Sequence, residues 1–181
     1  MSVYAGGSAG LSPRDADTLH LNSGVFGTPV MLGELCVQYI GKGFGFKVLA
    51  TAINIPQAQA INRSYGNNAA ELIYGAYTEI SYNLLAATNN PNKSLQFFSR
   101  YEMLDLNAKM PENGVKDDYV AQTYIVSGIT FIPVRGVAIK ADYVNRITGK
   151  YNPMVQDNPF GSGMPFFATS GYVNFGVAYS F

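Results

Sequence analysis

The sequence predicts an all-β chain, an antiparallel up-and-down transmembrane β-barrel of about eight strands. Three observations predict it. The final segment alternates without a fault: Val173, Phe175, Val177, Tyr179 and Phe181 share one face, and Asn174, Gly176, Ala178 and Ser180 share the other. Charged residues make up only 13% of the chain, about half the usual share of a soluble domain. Short and long connections between strand-like stretches also alternate strictly, as they do when one end of a barrel carries turns and the other carries loops.

Taken in order, strand patterns fall near 2–9, 30–41, 44–54, 71–85, 94–106, 118–132, 136–147 and 171–181. Each is about the length that a tilted spanning strand requires. Leu19-His20-Leu21-Asn22 alternates too and extends the second pattern upward. Gly, Asn and Pro clusters separate the patterns, and no long helix is expected. The short connections are Gly41-Lys42-Gly43, Ala87 to Lys93 and Pro133-Val134-Arg135-Gly136, whereas the long ones span 10–29, 55–70, 107–117 and 148–170. The whole of 1–181 is read as one barrel domain or half-barrel. With the C-terminus on the periplasmic side, an even strand count returns the N-terminus there, and the four long connections become extracellular loops.

Composition narrows the function. Twelve basic and twelve acidic residues balance, which removes a general electrostatic argument for nucleic acid. Mean hydropathy is +0.04, and no run of about 18 apolar residues is present to span a bilayer as a helix. One cysteine, Cys36, excludes an intramolecular disulfide framework and a multi-thiolate metal site, and the single histidine, His20, excludes a His cluster. Gly41-Lys42-Gly43-Phe44-Gly45 lacks the Lys-Ser/Thr ending and the following helix of a phosphate-cradling loop, so a turn is the better reading. No catalytic residues, cofactor or metal are expected, and the chain is read as a non-enzyme. The start, Met1 to Gly7, shows no basic region followed by an apolar one, so no secretory signal is read there. An outer-membrane protein needs one, so the expectation is either an incomplete chain or a Met1 internal to a longer one.

Charge placement sets the faces. An exposed Lys or Arg at bilayer mid-depth costs about 2–4 kcal/mol, so charged positions must point inward. Lys140 and Asp142 then face the lumen opposite Val137, Ile139, Ala141 and Tyr143. Arg100 and Glu102 face inward opposite Leu95, Phe97, Tyr101 and Met103, and Glu79 faces inward opposite Thr78, Ile80 and Tyr82. Glu34, Lys47 and Arg146 complete the candidate pore-lining set. Two roles are open to it: lining an aqueous path, or neutralising one another to brace the wall. Tyr39, Tyr82, Tyr101, Phe131, Tyr143, Tyr179 and Phe181 point outward as candidates for interfacial girdles.

Several segments resemble the C-terminal part of the phosphate-selective porin O and P family of outer-membrane proteins. They are Leu32-Gly33-Glu34-Leu35-Cys36-Val37-Gln38-Tyr39, Tyr74 to Leu85, Phe97-Phe98-Ser99-Arg100-Tyr101-Glu102, Val137 to Tyr143 and Asn174 to Phe181. The resemblance covers about residues 30 to 181. It implies the outer membrane of a Gram-negative bacterium, a larger barrel of about sixteen strands or more, often a homotrimer, and a chain that supplies the C-terminal half. It also implies that Phe175, Val177, Tyr179 and Phe181 form the signal read by the barrel-assembly machinery. Phosphate selectivity would require a constriction rich in lysine and arginine. Here Lys47, Arg100, Lys140 and Arg146 stand against Glu34, Glu79, Glu102 and Asp142.

The function expected from the sequence is therefore passive diffusion of small hydrophilic solutes, anions such as phosphate among them, with outer-membrane lipid around the barrel. Two alternatives stand beside it. One is a small non-conducting barrel serving as a structural anchor or interaction protein, because an eight-strand barrel fills its interior with side chains. The other is a soluble lipocalin-like β-barrel that binds a ligand.

Overall fold

In the computed structural model, the described residues are 2–9, 30–88, 92–151 and 166–180. They form one eight-stranded sheet in sequence order, with seven antiparallel pairings. The strands are β1 (Ser2–Ala9), β2 (Val30–Gly41), β3 (Phe44–Asn54), β4 (Leu72–Asn83), β5 (Ser94–Lys109), β6 (Ala121–Ile132), β7 (Val137–Thr148) and β8 (Thr169–Tyr179). A single helix among the described residues, α1 (Ala58–Tyr65), lies between β3 and β4. β1 and β8 form the two edges of the sheet.

The short connections gather at one end. Gly41 pairs with Phe44, which leaves a two-residue loop whose members, Lys42 and Gly43, have φ of 52° and 81°. This is the mirror-image turn whose twist matches a hairpin, and glycine enters it without steric cost. Between β4 and β5 the Asn83 side-chain oxygen accepts the backbone N–H groups of Leu85 at 3.1 Å and Leu95 at 3.2 Å, tying the turn to both strands. Pro133 to Gly136 joins β6 to β7, and the Ser180 N–H donates to the Gly136 carbonyl at 2.7 Å, holding the end of the β8 segment beside it.

The other end carries the long connections, and here the structure corrects four expectations. The 55–70 segment contains α1, which ends at Gly66 in the left-handed conformation with φ 65°. β5 runs to Lys109 rather than stopping at 106, through an irregularity opposite Leu72 and Tyr74. Asp105 supports that bend by accepting the Asn107 N–H at 2.8 Å. Residues 118–120 form a 3-10 turn ahead of β6, not its first residues, because the Asp117 carboxylate accepts the Tyr119 N–H at 3.1 Å and closes a turn. β8 starts at Thr169, two residues earlier than the alternation suggested. The Leu19–Asn22 stretch, His20, the expected loop 10–29 and most of the loop 148–170 lie outside the described residues.

Two of these long connections are joined. Asn68 donates its side-chain N–H to the Val115 carbonyl at 2.8 Å and accepts the Val115 N–H at 2.9 Å. Asn113 donates to the Gln59 carbonyl on α1 at 2.9 Å. The buried Asn62 closes its own loop by donating to and accepting from the Ala69 backbone at 3.0 and 2.7 Å. One side chain on each loop thus satisfies backbone groups that would otherwise need water. Lys109 and Glu71 add an ion pair at 2.6 Å.

The registers put every other residue on one of two faces with opposite chemistry. Leu35, Tyr39, Ile80, Tyr82, Phe97, Tyr101, Ile125, Ile129, Ile139 and Tyr143 lie on one face and are exposed. The opposite face carries the charges and, at its centre, the small buried cluster of Phe98, Val126 and Val144, with Tyr124 against it. On β8 the exposed apolar row continues, with Phe175 at 83% and Val177 at 76% accessibility.

Candidate functional site

All eight sequence-predicted lining residues fall on the polar face. Glu34 is on β2, Lys47 on β3, Glu79 on β4, Arg100 and Glu102 on β5, and Lys140, Asp142 and Arg146 on β7. Register brings several into one row across the strands: Gln38 opposite Lys47, Lys47 opposite Glu79, and Glu79 opposite Arg100. The row continues through Val126 and Val144 to Tyr172. A second row joins Cys36, Leu49, Tyr77, Glu102, Tyr124, Arg146 and Ser170. Cys36 is half-buried in it.

Two pairs of charges meet along their own strands. Residues two apart on a strand share a face, and Arg100 lies 3.3 Å from Glu102 while Lys140 lies 3.2 Å from Asp142. Asp142 is buried, at 8% accessibility, and it also accepts from the Asn174 side chain at 3.0 Å. This carboxylate therefore links β7 to the edge strand β8. The Lys140 ammonium stands 4.6 Å from the centre of the Phe98 ring, over the apolar cluster. A cation over an aromatic face contributes about 0.5–2 kcal/mol, the more so as water is excluded.

The remaining charges do not pair in this way. Lys47 and Glu79 are directly opposite in register, yet neither forms an ion pair among the described residues. The Lys47 ammonium and the Arg100 guanidinium, the two cations flanking Glu79, both lie against the Tyr77 ring, at 5.4 and 5.5 Å from its centre. Lys47 thus hydrogen-bonds the Tyr77 side chain and Arg100 pairs with Glu102, and neither forms an ion pair with Glu79. Arg146 carries a buried Nε without a hydrogen-bond partner among the described residues.

A groove of about 300 Å³ runs over this part of the face at the short-turn end, lined by Gln38, Lys47, Glu79, Ser81, Asn83 and Gln96 among others. Gln96 donates to the Ser81 hydroxyl at 2.9 Å. A smaller cavity of about 180 Å³ continues from Glu79 and Gln96 to Phe98, Thr130 and Lys140. Glu79 and Gln96 line both. The period-two count of the sequence places Ser81 and Gln96 on this face together with the charged members, whereas Thr130 was not singled out. Phe98 was missed as the centre of an inward apolar cluster because Phe97 and Phe98 are adjacent and only the first fits the outward pattern.

The outward aromatics divide. Tyr39, Tyr82, Phe131 and Tyr179 sit near the short-turn ends of their strands, whereas Tyr101 and Tyr143 lie mid-strand. Phe181 is outside the described residues. Among those residues, no group of three His, Cys, Asp or Glu side chains is placed to hold a metal ion. No protein-family model, no curated protein and no solved structure matches the chain.

Proposed function

We propose that the chain forms wall of an outer-membrane β-barrel pore through which small hydrophilic solutes diffuse. The observation that carries this reading is the inverted polarity of the sheet: large apolar side chains are exposed along β2 to β8, and the charges collect on the opposite face. Leaving about a dozen such side chains half in water forgoes on the order of 1 kcal/mol each. That sum is comparable to the entire net stability of a typical domain, about 5–15 kcal/mol. An apolar medium around the sheet removes the deficit, and a barrel is the form in which strands tolerate lipid. A lipocalin-like soluble barrel needs its apolar face covered, whereas here that face is exposed.

Free edges in hydrocarbon are prohibitive, so β1 and β8 need partners. The porin O and P resemblance supplies them as further strands of a larger barrel in the outer membrane of a Gram-negative bacterium, with trimeric assembly and a terminal strand read by the assembly machinery. Balanced charge on the polar face favours a general solute pore over a phosphate-selective one. The second reading, a small barrel closed by β1 against β8, is favoured by the buried Phe98, Val126 and Val144 cluster, which fills part of the inner face.

Conductance separates the two. The full chain, folded into detergent and added to a planar bilayer in potassium chloride, is expected to give stepwise current increments. Stable insertion with no current would leave the small closed barrel and end the pore reading, and solubility without detergent would end both.

A further inference from the structure

We infer that the groove between β2 and β5 is a binding site for small zwitterionic solutes, with Glu79 taking an ammonium group and Lys47 a carboxylate. This deepens the pore proposal and rests on it for the route by which solutes reach the groove. The argument begins with what is left after the charges of this face are paired. Arg100 with Glu102 and Lys140 with Asp142 neutralise each other at 3.3 and 3.2 Å. Lys47 and Glu79 stand opposite in register, line the same groove, and make no ion pair among the described residues.

Opposite charges in register on neighbouring strands ordinarily attract and pair. Here the Lys47 ammonium hydrogen-bonds the Tyr77 side chain and the Arg100 guanidinium pairs with Glu102, which leaves Glu79 without an ion pair. A simple cation at Glu79 would feel these two like charges, and a simple anion at Lys47 would feel the carboxylate. A zwitterion meets each charge with its complement, so the two fields add. Gln38, Ser81, Asn83 and Gln96 place amides and a hydroxyl beside the charges, Ile40, Phe44 and Phe46 add apolar lining, and the volume of about 300 Å³ admits a small amino acid. Gly45, opposite Ser81, contributes no side chain to the groove floor, and a Cβ there would collide with the Ser81 hydroxyl.

Tyr77 is a positioning residue in this account. Replacing it with Ala or Phe removes the hydroxyl that Lys47 bonds and releases that ammonium toward Glu79.

The test uses the full chain in detergent micelles, with the side-chain amide resonances of Gln38 and Gln96 followed by NMR as L-alanine is added. Propionate and ethylamine, the two half-charged fragments, serve as comparison probes. L-alanine is expected to bind at least about tenfold more tightly than either fragment. Glu79→Gln and Lys47→Met should each bring it down to the level of a fragment. Tyr77→Phe, which removes only the hydroxyl, should weaken it as Tyr77→Ala does. Equal affinity for all three probes, or indifference to both charge substitutions, overturns the proposal. Bilayer conductance is recorded on the same preparation. Alanine binding without conductance upholds the site and ends the pore reading, while conductance without alanine binding does the reverse.

Discussion

Ser99 on β5 and Ser127 on β6 stand opposite each other on the apolar face and share a hydrogen bond of 3.0 Å between their hydroxyls. Their neighbours across the sheet on that face are Ile80 and Tyr143. Two polar groups thus satisfy one another where an apolar medium would offer them nothing. Ser99→Ala leaves the Ser127 hydroxyl alone and is expected to cost about 1–2 kcal/mol in detergent or lipid, whereas replacing both serines by Ala is expected to be near neutral. Urea unfolding of the two single variants and the double variant measures the coupling. An additive cycle would mean that the bond contributes nothing.

Face polarity makes its own prediction. Ile125 and Thr130 lie on the same strand, β6, but on opposite faces. In lipid vesicles Ile125→Lys should destabilise the fold by about 2–4 kcal/mol, and Thr130→Lys by much less. Equal costs in equilibrium unfolding would show that the apolar face does not contact hydrocarbon.

Gly128 lies between Phe98 and Asp142 in the register of the polar face. A Cβ at this position would come within 2.6 Å of the Asp142 Cβ and would also meet the Ala141 carbonyl oxygen. Backbone cannot give way as a flexible side chain can, so Gly128→Ala is expected to cost about 1–3 kcal/mol. The thermal midpoint, followed by circular dichroism in micelles, reports the loss, and a midpoint unchanged from the parent would contradict the packing argument.

Asn68 joins the loops on either side of β4 and β5 through both of its bonds to Val115. Asn68→Ala leaves two backbone groups to water and is expected to open residues 66–70 and 110–117 to protease, at a local cost of about 1–2 kcal/mol. The sheet itself should hold. Limited proteolysis with mass mapping reads this directly, and cleavage no faster than in the parent would sink the idea.

Much of the strand layout was legible because its signals are local. A period of two assigns a residue to a face with no knowledge of the partner strand, so Glu34, Lys47, Glu79, Arg100, Glu102, Lys140, Asp142 and Arg146 all fall on the polar face as read. Lys42-Gly43 and Pro133 to Gly136 marked turns because few residues accept those backbone angles. α1 also had local signs, Pro56 before it and Gly66 after it. It was missed because eight residues are too few to display a helical period against a loop-like composition.

The sequence by itself determined the strands, the two faces and the end at which each connection lies, since alternation and turn chemistry act over a few neighbouring residues. Alternation also puts Arg100 beside Glu102 and Lys140 beside Asp142, the two pairs that form. Only the tertiary structure decided that Lys47 and Glu79, opposite in register, make no ion pair. The physical reason is Tyr77, two residues from Glu79 on β4 and brought beside Lys47 only by the register of the folded sheet, whose side chain takes the hydrogen bond of the ammonium.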